Sequence, residues 1–154
     1  VNCPDKPSNG VYVFENSGGT FPVFKPGRRI SKGLQNVLVS HAGGAARVLS
    51  PGVEYPDFRK TGLDVGVKLG VPANPHPNKV RGNFWRYADY DGDGTLDLVI
   101  GSDDWTDYGW DNAYDANGVW KKGPLRGFVY FIRNKGTNAA PVYDTPVTFR
   151  SKRG

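Results

Sequence analysis

The sequence predicts an all-β protein made of short antiparallel strands. Its 154 residues include 21 glycines and 12 prolines, and aromatic residues make up 13% of the chain, a composition that favours strands and turns over helices. Several stretches, such as residues 82–88, alternate in side-chain character and are bounded by turn residues. Alternation with a period of two is typical of half-buried strands. A chain of this length can bury a core of its own.

The first predicted element is a strand and turn at residues 10–18, which read Gly-Val-Tyr-Val-Phe-Glu-Asn-Ser-Gly. Residues 22–26 are predicted to form a short outer strand. Both ends of that segment are prolines, and proline is tolerated at a sheet edge because an edge leaves backbone donors unpaired.

A hairpin is predicted in the next part of the chain. Residues 36–40 and 46–49 are rich in valine and leucine, and they flank His-Ala-Gly-Gly-Ala at 41–45, a typical hairpin signal. Residues 65–69 are predicted to add an outer strand to this pair.

The stretch from Asp89 to Asp97 predicts a metal-binding loop between two strands, because alternating residues precede it and an apolar run follows it. Carboxylates occupy loop positions 1, 3, 5 and 9, and Gly94 occupies position 6, where a calcium loop needs a sharp turn. Oxygen ligands without histidine or cysteine favour Ca²⁺. The predicted ligands are four carboxylates and one carbonyl: Asp89, Asp91, Asp93, Thr95 and Asp97.

An EF-hand does not fit this loop. Position 12 would have to be a bidentate glutamate, and here it is Ile100, while strands rather than helices flank the loop. The alternative is an acidic surface turn without an ion, in which four crowded carboxylates would repel one another.

A second copy of the first element occurs near the end of the chain. Residues 127–136 followed by 141–146 repeat the order of residues 10–18 and 22–26, with an offset of about 118 residues. Asn16 and Asn134 are in register, as are the Pro-Val-aromatic triplets that follow them. Repeats of this kind bury their faces against neighbouring units.

The aspartate loop, the strands around it and the later Gly-Phe-Val-Tyr-Phe-Ile-Arg-Asn-Lys-Gly-Thr segment resemble the FG-GAP/VCBS repeat. The resemblance covers residues 79–149 well and residues 10–26 in part. It implies β-propeller blades of four strands, about two to two and a half of them here. On that basis residues 1–29 end one blade, residues 30–77 form a degenerate blade and a connector, and residues 78–154 form a complete calcium-binding blade.

So few blades cannot close a propeller, which needs about four to eight. The expectation is therefore a fragment of a longer chain, with a homo-oligomer that completes the ring and an open stack of sheets as the alternatives.

An insert at residues 102–124 is the segment most suggestive of ligand binding. Its aromatic rings and carboxylates suit glycan recognition, in which a ring covers the C–H face of a sugar and acids orient its hydroxyls. The alternatives are tryptophans that fill the space between blades, or a second cation among Asp103, Asp104 and Asp107. The predicted ligand-binding residues are Trp105, Asp107, Tyr108, Trp110, Asp111 and Tyr114.

Two classes of function are consistent with these features. The first is a non-catalytic module that binds a polysaccharide or a cell-surface protein. The second is part of an enzyme that degrades an acidic polysaccharide, a glycoside hydrolase or a lyase, the lyase with His76, Tyr87 or Lys79 as base and calcium or Arg81 as the neutralising group. For His76 itself the sequence favours a loop histidine without a partner.

Charge and hydropathy argue against two classes of partner, nucleic acids and the membrane interior. The formal net charge is +5, but it is scattered, and no aromatic-basic pattern predicts nucleic-acid binding. No apolar run is long enough to insert in a membrane. A calcium site and the family resemblance together favour a secreted or cell-surface location.

Overall fold

The computed structural model of the protein describes residues 9–77, 80–104, 114–121 and 127–150, and in these residues the fold is all-β, as predicted. One short helix, α1 (Phe58–Thr61), accompanies the strands. The strands are β1 (Val11–Val13), β2 (Arg28–Ser31), β3 (Leu38–Ala42), β4 (Ala45–Ser50), β5 (Val53–Glu54), β6 (Val67–Lys68), β7 (Val80–Ala88), β8 (Asp97–Asp104), β9 (Gly127–Ile132) and β10 (Val147–Thr148).

The strands form three antiparallel sheets, each of which pairs strands in chain order. The first sheet contains β1 and β2, the second contains β3 to β6, and the third contains β7 to β10. Successive antiparallel pairing follows from short connections, because neighbouring segments can pair directly. The assignment of these sheets to propeller blades stays a prediction.

The hairpin predicted in the middle of the chain is confirmed as β3 and β4. Ala42 and Ala45 are its last pair, so Gly43 and Gly44 form a two-residue turn. Their φ angles are 60° and 75°. A turn with positive φ at both central residues matches the twist of the flanking strands, and glycine adopts it without steric cost.

The predicted outer strand at residues 22–26 is wrong. There Phe24 makes an isolated bridge with Asn16, and the outer strand is β2. Pro22 and Pro26 have no backbone N–H to donate, and the N–H of Val23 donates instead to Asn16 Oδ1 at 3.2 Å.

Two apolar cores separate the three sheets, which therefore pack in series. Val48 on β4 contributes to the core between the first and second sheets, together with Ile30 on β2. The next residue, Leu49, contributes to the core between the second and third sheets, with Trp85 and Ile132. Successive residues of a strand point to opposite faces, so one strand serves both cores.

A buried polar group also connects the second and third sheets. The guanidinium of Arg47 donates to both carboxylate oxygens of Glu54, at 2.7 and 3.0 Å, and Tyr87 Oη donates to the same carboxylate at 2.9 Å. The Glu54 hydrogen bond raises the pKa of Arg47, and burial raises the pKa of the Tyr87 hydroxyl. The bidentate ion pair holds the Glu54 carboxylate in place within the second sheet, and the hydrogen bond from Tyr87 joins that carboxylate to the third sheet.

The internal repeat is confirmed by its hydrogen bonds. In the first copy, the N–H groups of Gly18 and Val23 donate to Asn16 Oδ1 at 3.0 and 3.2 Å. In the second copy, the N–H groups of the equivalent residues donate to Asn134 Oδ1 at 3.0 and 2.9 Å. The strand pairs also correspond, because Val13 faces Arg28 as Phe131 faces Val147.

Strand β8 continues through Asp104, so the first part of the predicted insert belongs to the third sheet. Within the described ranges, no helix is long and apolar enough to cross a membrane.

Candidate metal centre

The aspartate loop connects β7 to β8, as the sequence predicts, and it is shaped by two glycines. Gly92 and Gly94 have φ angles of 76° and 86°, in the left-handed region that favours glycine. The N–H of Gly94 donates to Asp89 Oδ2 at 3.1 Å, so the loop folds back on its first residue.

Three of the predicted ligands are brought together by this loop. One carboxylate oxygen from each of Asp89, Asp91 and Asp97 lies within 4.8 Å of the others. Each Ca–O distance is about 2.3–2.6 Å, so oxygens on opposite sides of one ion are about 5 Å apart. The cluster could therefore hold a metal ion, and a hard cation is favoured because all its donors are oxygens.

Asp97 is the buried member of the cluster and fixes it to the rest of the third sheet. Its side chain is fully buried, and it accepts hydrogen bonds from the N–H of Asn134 at 2.8 Å and from that of Tyr90 at 3.2 Å. Donation from backbone N–H groups offsets part of the cost of a buried carboxylate. Asp97 thus joins the loop to the turn that follows β9.

Asp93, the predicted ligand at position 5, points its carboxylate to other partners. Oδ1 accepts from the N–H of Thr95 at 2.8 Å, and Oδ2 accepts from Arg133 at 3.2 Å. The hydrogen bonds from Thr95 and, after them, the charge of Arg133 lower the pKa of Asp93. Arg133 also pairs with Asp91 at 2.9 Å, and these two acids raise its own pKa.

Asn138 positions the end of the loop and was missed in the sequence. Its Oδ1 accepts from the N–H of Leu96 at 2.7 Å, and its Nδ2 donates to the carbonyl of Gly94 at 3.0 Å. No local pattern marks this residue, since it lies 42 residues beyond Leu96 in the chain.

Five of the six predicted ligand-binding residues lie outside the described residues, namely Trp105, Asp107, Tyr108, Trp110 and Asp111. Tyr114 is described: its side chain is 60% exposed, and its ring makes an edge contact with Trp120 at 5.5 Å. Of the acids considered for a second cation, Asp103 accepts a hydrogen bond from the N–H of Gly82, while Asp107 and the side chain of Asp104 are outside the described residues.

Two of the residues considered as catalytic bases, His76 and Tyr87, are described, and they have different hydrogen-bond partners. The prediction that His76 lacks a partner is wrong, because it is buried, Tyr130 Oη lies 2.6 Å from its Nδ1, and it stacks on Phe128 at 4.5 Å. Tyr87 is buried, and its hydroxyl donates to Glu54 at 2.9 Å. Lys79 and the side chain of Arg81 are outside the described residues.

No protein-family model, curated protein or solved structure gives a significant match to this chain. The resemblance to FG-GAP/VCBS repeats therefore stays a prediction. The site is best characterised by its geometry, a buried carboxylate with two exposed carboxylates converging beside it.

Proposed function

We propose that this chain is a calcium-stabilised repeat module of the FG-GAP/VCBS type, from a secreted or cell-surface protein. The observation that carries the proposal is the cluster of Asp89, Asp91 and Asp97, whose buried member is bonded to Asn134. A cation in this cluster would neutralise carboxylates on the loop and hold it to the link between β9 and β10. Its role is structural, since it would close the loop between β7 and β8, whose Asp97 is bonded to the distant Asn134.

The aromatic and acidic residues of the insert form the surface that binds a glycan or protein ligand. Support comes from Tyr114, an exposed residue of the insert whose ring contacts Trp120. An exposed aromatic face beside acceptors suits the C–H face and the hydroxyls of a sugar ring. Loss of glycan binding in Tyr114→Ala, with the thermal midpoint retained, would support this contact, and undiminished binding would exclude Tyr114 from it.

The calcium test is a thermal unfolding series with chelator, Ca²⁺ or Mg²⁺. Calcium at about 100 times its dissociation constant adds about 2.7 kcal/mol to the free energy of unfolding, or about 5–10 °C in the midpoint for a domain of this size. Magnesium should give a smaller shift, because it demands a tighter octahedral shell. A midpoint that is the same in calcium and chelator would contradict the proposal.

Matched variants locate the response. Asp91→Asn removes an exposed carboxylate of the cluster and should abolish the calcium shift while the protein stays folded. Asp64→Asn removes the same charge at an exposed position outside the loop and should keep the full shift. Asp93→Ala distinguishes the five ligands predicted from the sequence from the three clustered aspartates. Loss of the calcium-induced shift in the thermal midpoint would support the full predicted set, and a retained shift would restrict the ligands to the three clustered aspartates.

A further inference from the structure

The two outermost sheets each leave an apolar face exposed. On the first sheet, the exposed residues are Tyr12, Phe14 and Phe24, of which Phe14 is 58% and Phe24 is 59% exposed. We call this surface the first-sheet face. On the third sheet, the corresponding surface consists of Val129, Phe131 and Phe149, of which Val129 is 42% and Phe149 is 37% exposed. We call it the third-sheet face. Contiguous exposed apolar faces commonly mark sites of association.

The internal repeat shows what covers a first-sheet face. In the second copy of the repeat, the residues equivalent to Tyr12 and Phe14 are Tyr130 and Ile132. Both are buried in the core that includes Leu49 of the second sheet. The first-sheet face therefore has the composition and position of a face that packs on another sheet.

The same comparison applies in the opposite direction. Val11, Val13 and Ile30 of the first copy pack in the core shared with Val48 of the second sheet. Their equivalents in the second copy form the third-sheet face. Each exposed face is therefore equivalent to a face that packs on the second sheet within the chain. The two faces have the composition of the two partners in such a sheet-to-sheet interface.

The charges beside these faces are complementary. Arg29 pairs across the strands with Tyr12 and thus adds a cation beside the first-sheet face. Tyr90 of the aspartate loop contacts Phe131 and Phe149, at ring distances of 5.0 and 4.9 Å, which places the loop and its acids beside the third-sheet face. Opposite charges at the rim would orient an association and speed it.

We propose that the first-sheet face of one copy of this chain packs on the third-sheet face of a second copy, head to tail. The contact continues the series of sheet interfaces already present within the chain. Because the two faces differ, the association is heterologous, and its geometry closes a ring or extends as an open stack. The proposal goes beyond calcium binding and stands without it, since the apolar residues of the two faces form the contact and the carboxylates of the loop lie only at its rim.

The test uses Phe14→Glu and Val129→Glu, each of which buries an uncompensated charge in one face. The wild-type mass, measured by light scattering over a range of concentrations, should rise above that of a single chain. Each variant should weaken association at least about tenfold, and Val65→Glu, at an exposed valine outside both faces, should associate like the wild type. Circular dichroism and the thermal midpoint establish that each variant is folded.

Mixing identifies the head-to-tail geometry. Phe14→Glu retains an intact third-sheet face and Val129→Glu an intact first-sheet face, so an equimolar mixture should form a dimer although neither variant does so separately. A wild type that stays a monomer at all concentrations would overturn the proposal, as would a mixture that fails to associate. Repeating the series in chelator separates this result from the calcium proposal, because folded protein should associate in both conditions.

Discussion

The two copies of the repeat, residues 10–30 and 128–149, make the same turn hydrogen bonds but differ in how much of each copy is buried by neighbouring segments. Each copy uses one asparagine side chain to accept two backbone N–H groups at similar distances. Yet Asn134 is 2% exposed and its N–H holds Asp97, whereas Asn16 is exposed. Local sequence thus determines the turn, and the neighbouring sheet and loop determine how much of it is buried.

The largest difference between the copies is expected in the stability lost on truncating two equivalent residues, Ile132 and Phe14, to alanine. Ile132 is fully buried, so its truncation should lower the free energy of unfolding by about 2–5 kcal/mol. Phe14 is exposed, and its truncation should cost less than about 1 kcal/mol. Urea unfolding at a concentration where the wild type is monomeric measures both. Equal losses would mean that the first sheet is as well covered as the third.

A second pair of variants compares the asparagines themselves. Asn134→Ala removes a buried side chain and leaves the N–H groups of Gly136 and Val142 without this part-buried acceptor, which should cost about 2–4 kcal/mol. Asn16→Ala exposes the corresponding groups to water, and the expected loss is below about 1 kcal/mol. The same urea experiment checks this, with Asn138→Ala as a comparison at the neighbouring loop contact. A small loss for Asn134→Ala would show that water reaches these N–H groups.

Features carried by short local patterns could be predicted from the sequence. The Gly-Gly hairpin turn and the Asn-x-Gly element of the repeat depend on residues a few positions apart, and each appears in the structure where the pattern places it. The aspartate loop is also local, so its place between two strands and the convergence of Asp89, Asp91 and Asp97 followed from spacing.

Features that depend on distant segments could not be predicted in this way. Arg133 approaches Asp91 and Asp93 only because β9 pairs with β8. His76 is buried because its connector lies over Phe128 and Tyr130. Prolines at residues 22 and 26 were compatible with an edge strand, and tertiary pairing instead placed that strand at β2. Charges and polar side chains gain their partners from the topology, which single-sequence patterns do not specify.

The smallest expected difference between the copies is in the pH dependence of stability, and it arises from Asp144, whose equivalent in the first copy is Lys25. The pKa of Asp144 is lowered first by the hydrogen bond from the N–H of Thr145, at 2.8 Å, and then by Lys135, whose Nζ lies 3.1 Å from its carboxylate. Because the pKa is lower in the folded state, this carboxylate stabilises the fold above the usual pKa of aspartate. That contribution is lost as the pH falls through the lowered pKa.

Thr145→Pro tests this cause directly, because it removes the donating N–H and copies Pro26, the equivalent residue of the first copy. A carboxyl NMR titration should show the pKa of Asp144 rising towards its usual value in Thr145→Pro, and by less in Lys135→Gln. If Lys135→Gln gave the larger rise, the ion pair rather than the backbone N–H would hold the pKa down. The second copy would then resemble the first, where the Glu15 and Lys25 side chains pair at 3.1 Å.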